Sequence, residues 1–166
     1  DHGGAVWAES KLGVGSTFSV WLPRIAGVVI EEFFDNNNLQ RGHERILFVD
    51  DDEAVLRFAE AALPRQGFIV TLCKDGEKGM EQYLENPDKF DLVITDQVMP
   101  KMSGEELAAK IHEHNPQMPI ILFTGFSEEL PWDKLHQAGI AEVVLKPIII
   151  KDLVDAIRRA LDTPSE

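Results

Sequence analysis

The stretch Phe90-Asp-Leu-Val-Ile-Thr-Asp96-Gln-Val-Met-Pro100-Lys-Met-Ser-Gly104 decides the fold. Leu92, Val93 and Ile94 form a β-rich apolar run that stops at an acid, Asp96, with Pro100 and Gly104 close behind. An unbroken apolar run of that length fits a parallel strand buried on both faces. In open α/β sheets ligands gather at the carboxyl ends of the strands, so Asp96 is either a working acid or the start of a turn before the next helix. What converges on it decides between the two.

Working outward, the same rhythm repeats on either side. Ile46 to Val49 reads as a strand followed by a helix over Glu53 to Leu63, with Val55, Ala59 and Ala62 on one face and Pro64 at its end. Phe68 to Cys73 is a strand with a helix over Glu77 to Glu85, and Leu92 to Thr95 is a strand with a helix over Gly104 to Glu113. Pro119 to Phe123 is followed by a helix near Glu128 to Gln137, and Glu142 to Leu145 by a helix over Lys151 to Leu161. Strands alternating with helices through short loops call for an α/β fold with a five-stranded doubly wound parallel sheet, and right-handed crossovers leave little topological freedom.

Such a sheet brings its strand ends to one edge. The first ends in Asp50-Asp51-Asp52, the third in Asp96, the fourth in Thr124 and the fifth in Lys146-Pro147. Each has an ordinary reading: Asp52 and Thr124 as helix caps, Lys146 as a solvated base. Together they form one crevice of acids, a hydroxyl and an ammonium. Clustered carboxylates repel unless a hard cation holds them, and Asp50, Asp51 and Asp96 are an oxygen set suited to Mg2+. Asp96 is then a nucleophile for an incoming phosphoryl group, with Lys146 and Thr124 steadying its oxygens.

This constellation resembles the response-regulator receiver domain over Glu44 to Leu161. The matching motifs are Val49-Asp50-Asp51, Thr95-Asp96 with Met99-Pro100, Met102 and Gly104, Phe123-Thr124-Gly125, and Leu145-Lys146-Pro147. The resemblance implies that Asp96 takes a phosphoryl group from a phosphohistidine on a kinase or phosphotransfer domain. It implies that Asp51, Asp96 and the backbone carbonyl of Val98 bind Mg2+ directly with Asp50 assisting, that Thr124 turns toward the phosphoryl group, and that the Lys146-Pro147 peptide is cis. The family's aromatic switch position on the last strand is Val143 here. An aliphatic side chain cannot report phosphorylation by swinging between buried and exposed states in the same way. Val98 and Phe126, two residues past Asp96 and Thr124, are apolar, which is expected to hinder the attacking water and lengthen the phosphoryl lifetime. Val55 and Leu56, beside the acid pair, are candidates for docking the donor's helix, although core packing explains at least one of them as readily.

Residues 1–24 carry a second, separate pattern: Ala5 to Ser10 and Thr17 to Leu22 read as the strands of a β-hairpin appendage around a Gly-rich loop. His2-Gly3-Gly4, Glu9-Ser10, Gly13-Val14-Gly15-Ser16-Thr17-Phe18 and Leu22-Pro23 are similar, in order, to the C-terminal end of the ATP-binding domain of sensor histidine kinases. The implied architecture is a kinase remnant (1–24), a linker (25–43) and a receiver (44–163) from a hybrid histidine kinase. The remnant lacks the family's other nucleotide boxes and its phosphorylated-histidine helix, so the fragment is expected neither to bind ATP usefully nor to phosphorylate itself from it. An isolated hairpin is marginally stable, so it expects a partner surface, a second copy in a homodimer being one. Within the linker, Val28, Val29, Ile30, Phe33 and Phe34 are too apolar for a solvated tether and are expected to dock.

Composition narrows the alternatives. A net charge of -13 over 166 residues argues against direct nucleic-acid binding through bulk electrostatics. The single cysteine, Cys73, excludes an internal disulfide and reads as a core residue in a reducing compartment. No apolar run is long enough to span a bilayer, so this piece is expected to make no membrane contact and to be cytoplasmic, as part of a parent that can itself be membrane-anchored. His43, His112, His114 and His136 lack a zinc-ligand pattern, and Pro131 and Trp132 read as shaping a helix start. Two rivals stay open. One is a receiver-like interaction module that is never phosphorylated. The other is a haloacid-dehalogenase-like phosphatase, whose nucleophile ends the first strand; here the acid pair comes first.

Overall fold

The computed structural model describes residues 3–23, 42–125 and 132–162, in two compact units. Val28, Val29, Ile30, Phe33, Phe34, Phe126 and Pro131 lie outside the described residues.

The N-terminal unit contains an antiparallel hairpin of β1 (Ala5–Lys11) and β2 (Gly15–Trp21). Its turn has φ of +80° at Gly13 and +130° at Gly15, a backbone that a side chain would strain. Pairing places Val6 opposite Val20 and Ala8 opposite Phe18, giving one apolar face, with Ser10 and Ser16 hydrogen-bonded at 2.8 Å near the turn. Val6, Phe18 and Val20 are exposed, since two strands cannot cover their own face, which leaves that face available to the partner surface the sequence leads one to expect.

The second unit is the expected α/β layer structure. Its strands are β3 (Arg45–Val49), β4 (Ile69–Cys73), β5 (Leu92–Asp96), β6 (Ile120–Thr124) and β7 (Ile140–Leu145). They form one parallel sheet in the order β4-β3-β5-β6-β7. The helices are α1 (Glu53–Ala62), α2 (Gly76–Glu85), α3 (Gly104–His114), α4 (Trp132–Gln137 as described) and α5 (Ile150–Asp162).

Strand alternation divides the core. Leu47, Val49, Val93 and Leu122 point into the layer under α2 and α3, while Ile46, Phe48, Ile94 and Phe123 point toward α1 and α5. Phe48 and Phe123 meet edge-on at 5.5 Å, a favoured aromatic geometry. Helix α5 buries Leu153, Val154, Ala156, Ile157 and Ala160, the stripe expected of an amphipathic helix packed on a sheet. Starts are capped locally: Asp52 accepts from Ala54 N–H at 2.7 Å, Asp75 from Lys78 N–H at 2.8 Å, and Ser103 forms a reciprocal capping box with Glu106.

Differences from the sequence reading sit at element ends. Pro64 does not simply stop α1; with Gln66 it forms a 3-10 turn, closed by Gly67 at φ +98°. A second such turn, Pro87–Lys89, precedes β5. Strand β7 starts two residues earlier than expected, directly after Gly139, and absorbs a register shift opposite Ile120/Ile121. Cys73 is buried in the core, and burial pushes its thiol up to about 11, as suits an inert packing residue.

Two ion pairs fasten the edge of the sheet at the strands' amino ends. Arg45 grips Asp91 with two nitrogens, at 3.0 and 2.7 Å, and Arg158 of α5 pairs with Glu44 at 2.5 Å while stacking over Phe68. No described helix is long and apolar enough to cross a membrane.

Candidate functional site

At the other edge the strand ends meet. Strand β3 delivers Asp50, wholly buried, and β5 delivers Asp96, 6% exposed. Strand β6 delivers Thr124, 1% exposed, whose carbonyl accepts from Lys146 N–H at 2.8 Å and so brings the end of β7 alongside. Lys146 then reaches across the sheet. Its Nζ lies 2.7 Å from Asp96 Oδ1 and 3.0 Å from Asp50 Oδ2, residues separated in sequence but adjacent in strand order. The Lys146-Pro147 peptide is cis.

Backbone groups complete the setting. Asp52 N–H donates to Asp50 Oδ1 at 2.8 Å, so both oxygens of Asp50 are engaged. Val98 N–H donates to Asp96 Oδ2 at 2.9 Å, while the Val98 side chain is 67% exposed beside it. Gly104 N–H closes the loop onto the Gln97 carbonyl at 3.1 Å. A Cβ at Gly104 would overlap the Asp96 carbonyl oxygen, which is why the loop after β5 needs glycine there.

Burial dominates the Asp50 carboxyl and pushes it up from its ordinary range, despite the Asp52 N–H and the Lys146 ammonium. Lys146 shows the converse balance. Burial alone would lower it, but hydrogen bonds to Asp96 and Asp50 outweigh that and hold the ammonium above its ordinary value.

Oxygens of Asp50, Asp51 and Asp96 lie within 4.8 Å of one another, with Asp51 exposed toward solvent. An all-carboxylate set of this size, open on one side for water, fits a hard divalent cation of the Mg2+ type better than a soft one. Asp50, Asp51, Asp96, Thr124 and Lys146 are therefore brought together as the strand pattern demanded. Asp52 takes the capping role. Val143 is half-buried and packs against the core layer under α2 and α3. Val55 lines an apolar cleft of about 260 Å³ with Ala54, Phe58, Pro147, Ile148 and the Lys146 stem, whereas Leu56 faces a different cleft beside Cys73. Trp132 is half-exposed at the start of α4 and lies against His136.

Sequence reasoning did not find the orienting N–H groups of Asp52 and Val98. They leave no residue-type signal, because any non-proline backbone supplies them.

Comparison with known proteins agrees with this geometry. Residues 46–158 match the response regulator receiver domain. The chain is 36% identical over 118 residues to the response regulator receiver protein CpdR of Brucella abortus (strain 2308), covering 71% of this chain and 97% of that protein. It is 27% identical over 169 residues to the sensor kinase CckA of the same organism, covering 96% of this chain but only 18% of CckA, so it spans about a fifth of that relative. Among solved structures, a response regulator receiver domain protein from Clostridium thermocellum superimposes with a TM-score of 0.67 at 30% identity, over 72% of this chain and 94% of that one.

Proposed function

We propose, on the premise that this chain belongs to the response-regulator receiver domain family of two-component signalling, that Asp96 is its phosphoacceptor. The observation that carries the reading is the Lys146 ammonium held against both Asp96 and Asp50 at the carboxyl edge of the sheet. A carboxylate oxygen of Asp96 attacks the phosphorus of a phosphohistidine. The P–N bond breaks, its electron pair stays on the imidazole, and the product is an aspartyl phosphate. Lys146 neutralises negative charge on the phosphoryl oxygens, and the Thr124 hydroxyl donates to one of them.

Asp50, Asp51, Asp96 and the Val98 carbonyl would hold Mg2+, which when bound supplies charge neutralisation for the incoming group. The apolar cleft along α1, between Val55, Phe58 and Ile148, suits a donor helix and supports a phosphohistidine-bearing kinase or phosphotransfer domain as the partner. Val143, packed in the core layer, would not act as a swinging reporter, so the signal would leave through Thr124 and the loops around it.

We further read residues 1–24 as the end of a kinase ATP-binding domain, 25–43 as a linker and 44–163 as the receiver, the order expected of a cytoplasmic portion of a hybrid histidine kinase. The alignment with CckA, which runs through the hairpin, supports this order.

The test is direct. The full chain is incubated with Mg2+ and acetyl phosphate and followed by intact mass. One added phosphoryl group is expected, lost in Asp96→Asn and on chelation of the metal. Phosphorylation that persists in Asp96→Asn would assign the acceptor elsewhere, and no phosphorylation from either acetyl phosphate or a phosphorylated donor domain would favour a docking-only module.

A further inference from the structure

The outer face of α2 has a composition that the phosphoacceptor site does not use. Leu84 and the accessible edge of Met102, with the largely buried Met80 one turn before Leu84, form the floor of a shallow, solvent-open depression. Leu84 is 47% exposed in the middle of an otherwise polar surface. Glu77, Glu81 and Glu85, at successive turns, make the rim. Gly76 lets the start of α2 approach the Met102 backbone closely, since a Cβ there would stand 2.7 Å from the Met102 carbonyl oxygen, and this packing sets the floor.

The rim already shows what it binds. Lys101 Nζ pairs with Glu77 at 2.8 Å. Glu85 has only the neutral amide of Gln82, at 2.8 Å, and the Glu81 carboxylate has no hydrogen-bonding or ionic partner among the described residues. Two carboxylates about 6 Å apart along the helix axis are thus left without cations beside an exposed leucine.

We propose that this face is a docking groove for an amphipathic helix of a partner protein. Its apolar stripe would seat on Met80, Leu84 and Met102, and its Lys or Arg residues, one turn apart, would pair with Glu81 and Glu85. Complementary charge fixes the register, while the flexible thioethers adapt to the apolar side chains. A second copy of this chain does not supply that helix. No described helix carries two Lys or Arg residues one turn apart, and the adjacent Arg158 and Arg159 of α5 are already engaged by Glu44 and Glu142.

The test uses the full isotope-labelled chain and three synthetic peptides of about 18 residues, long enough to become helical when bound. The first carries Leu at helical spacing flanked by Lys one turn apart. The second has the same composition with the Leu spacing scrambled, and the third has Glu in place of Lys. Saturable NMR shift changes confined to residues 77–85 and 101–103 are expected with the first peptide only. Two exposed pairs together are worth about tenfold in affinity, so Glu81→Lys with Glu85→Lys weakens binding by about that factor. Leu84→Ser weakens it about fivefold. Both changes lie on the surface, and unchanged sheet amides confirm the fold. Equal binding of the scrambled or acidic peptide, shifts centred elsewhere, unaltered affinity in both variants, or no binding would each overturn the proposal.

Discussion

Replacing Asp50 with Asn is expected to make the metal-free protein more stable, although Asp50 is wholly buried and doubly hydrogen-bonded. The magnitude follows from opposing terms. Asp50 and Asp96 have oxygens within 4.8 Å, a gross repulsion of about 3 kcal/mol at an effective dielectric of about 20. The Asp50–Lys146 contact at 3.0 Å gives back about 5 kcal/mol on the same scale. Against that small surplus stands the removal of a carboxylate from water, which costs several kcal/mol, in line with burial being the leading cause that pushes the Asp50 carboxyl up.

The asparagine side chain keeps the shape, keeps one acceptor and leaves Lys146 its contact with Asp96. The expected gain is about 1 kcal/mol near pH 7, or ~4 °C in Tm for a unit of this size. A group whose folded pKa is raised favours the native state when protonated, so wild-type stability falls as pH rises from the ordinary carboxylate range through the raised value. The advantage of the Asp50→Asn variant therefore shrinks as pH is lowered through that window. Urea denaturation in chelator, across pH, measures it. Added Mg2+ should stabilise the wild type and leave Asp50→Asn largely unmoved. A variant less stable than wild type in chelator at pH 7 would refute the reasoning.

Further outcomes can be checked on the same chain. Gly104→Ala should destabilise by about 2 kcal/mol or more and impair phosphorylation together, because its methyl group collides with the Asp96 carbonyl; a denaturation midpoint and the acetyl phosphate assay read both. Asp75→Ala removes the acceptor of Lys78 N–H and should cost about 1 kcal/mol of stability by denaturant titration, with the phosphorylation rate unchanged. The Asp91 carboxyl is held low first by the Arg45 guanidinium, so its contribution is present above the ordinary carboxylate pKa and is lost as pH falls below about 4. The stability difference between wild type and Asp91→Asn should accordingly collapse in that acid range. Val98→Asn with Phe126→Glu should shorten the lifetime of the phosphorylated chain, measured by loss of the added mass, and a decay no faster than wild type would remove the apolar residues from the explanation.

The architecture was legible because residues 46–49, 92–94 and 120–123 are unbroken apolar runs leading into chemically distinct residues, while β4 and β7 are each interrupted by one polar residue, Thr71 and Glu142, and β7 still leads into Lys146. A parallel sheet turns those ends into neighbours without further information, which is why Asp50, Asp96, Thr124 and Lys146 could be assembled on paper. Contacts that depend on side-chain reach were not legible. Nothing in the sequence pairs Glu44 with Arg158, 114 positions away, or sets Arg45 against Asp91. Both follow from strand order and helix placement, which must exist before the distances do. The turn at Pro64 was not legible for a different reason: proline there reads as a helix stop, yet its fixed φ also suits the first residue of a 3-10 turn, as it does at Pro87. The α2 groove escaped because Glu at every fourth position reads as a solvated face until the exposed leucine between them is seen.

The Glu44–Arg158 pair bears on how such a unit travels between proteins. Glu44 stands where the chain enters the α/β unit, and Arg158 lies one turn before the end of its last helix. Incoming and outgoing chain are thus clasped side by side at one edge, with the Asp50, Asp96 and Lys146 cluster at the other. A unit whose two ends meet can be spliced into a host polypeptide, or rearranged by joining its ends and opening it elsewhere, with little disturbance to its interior. The modularity of this domain is in that sense a property of where its first strand and last helix happen to touch.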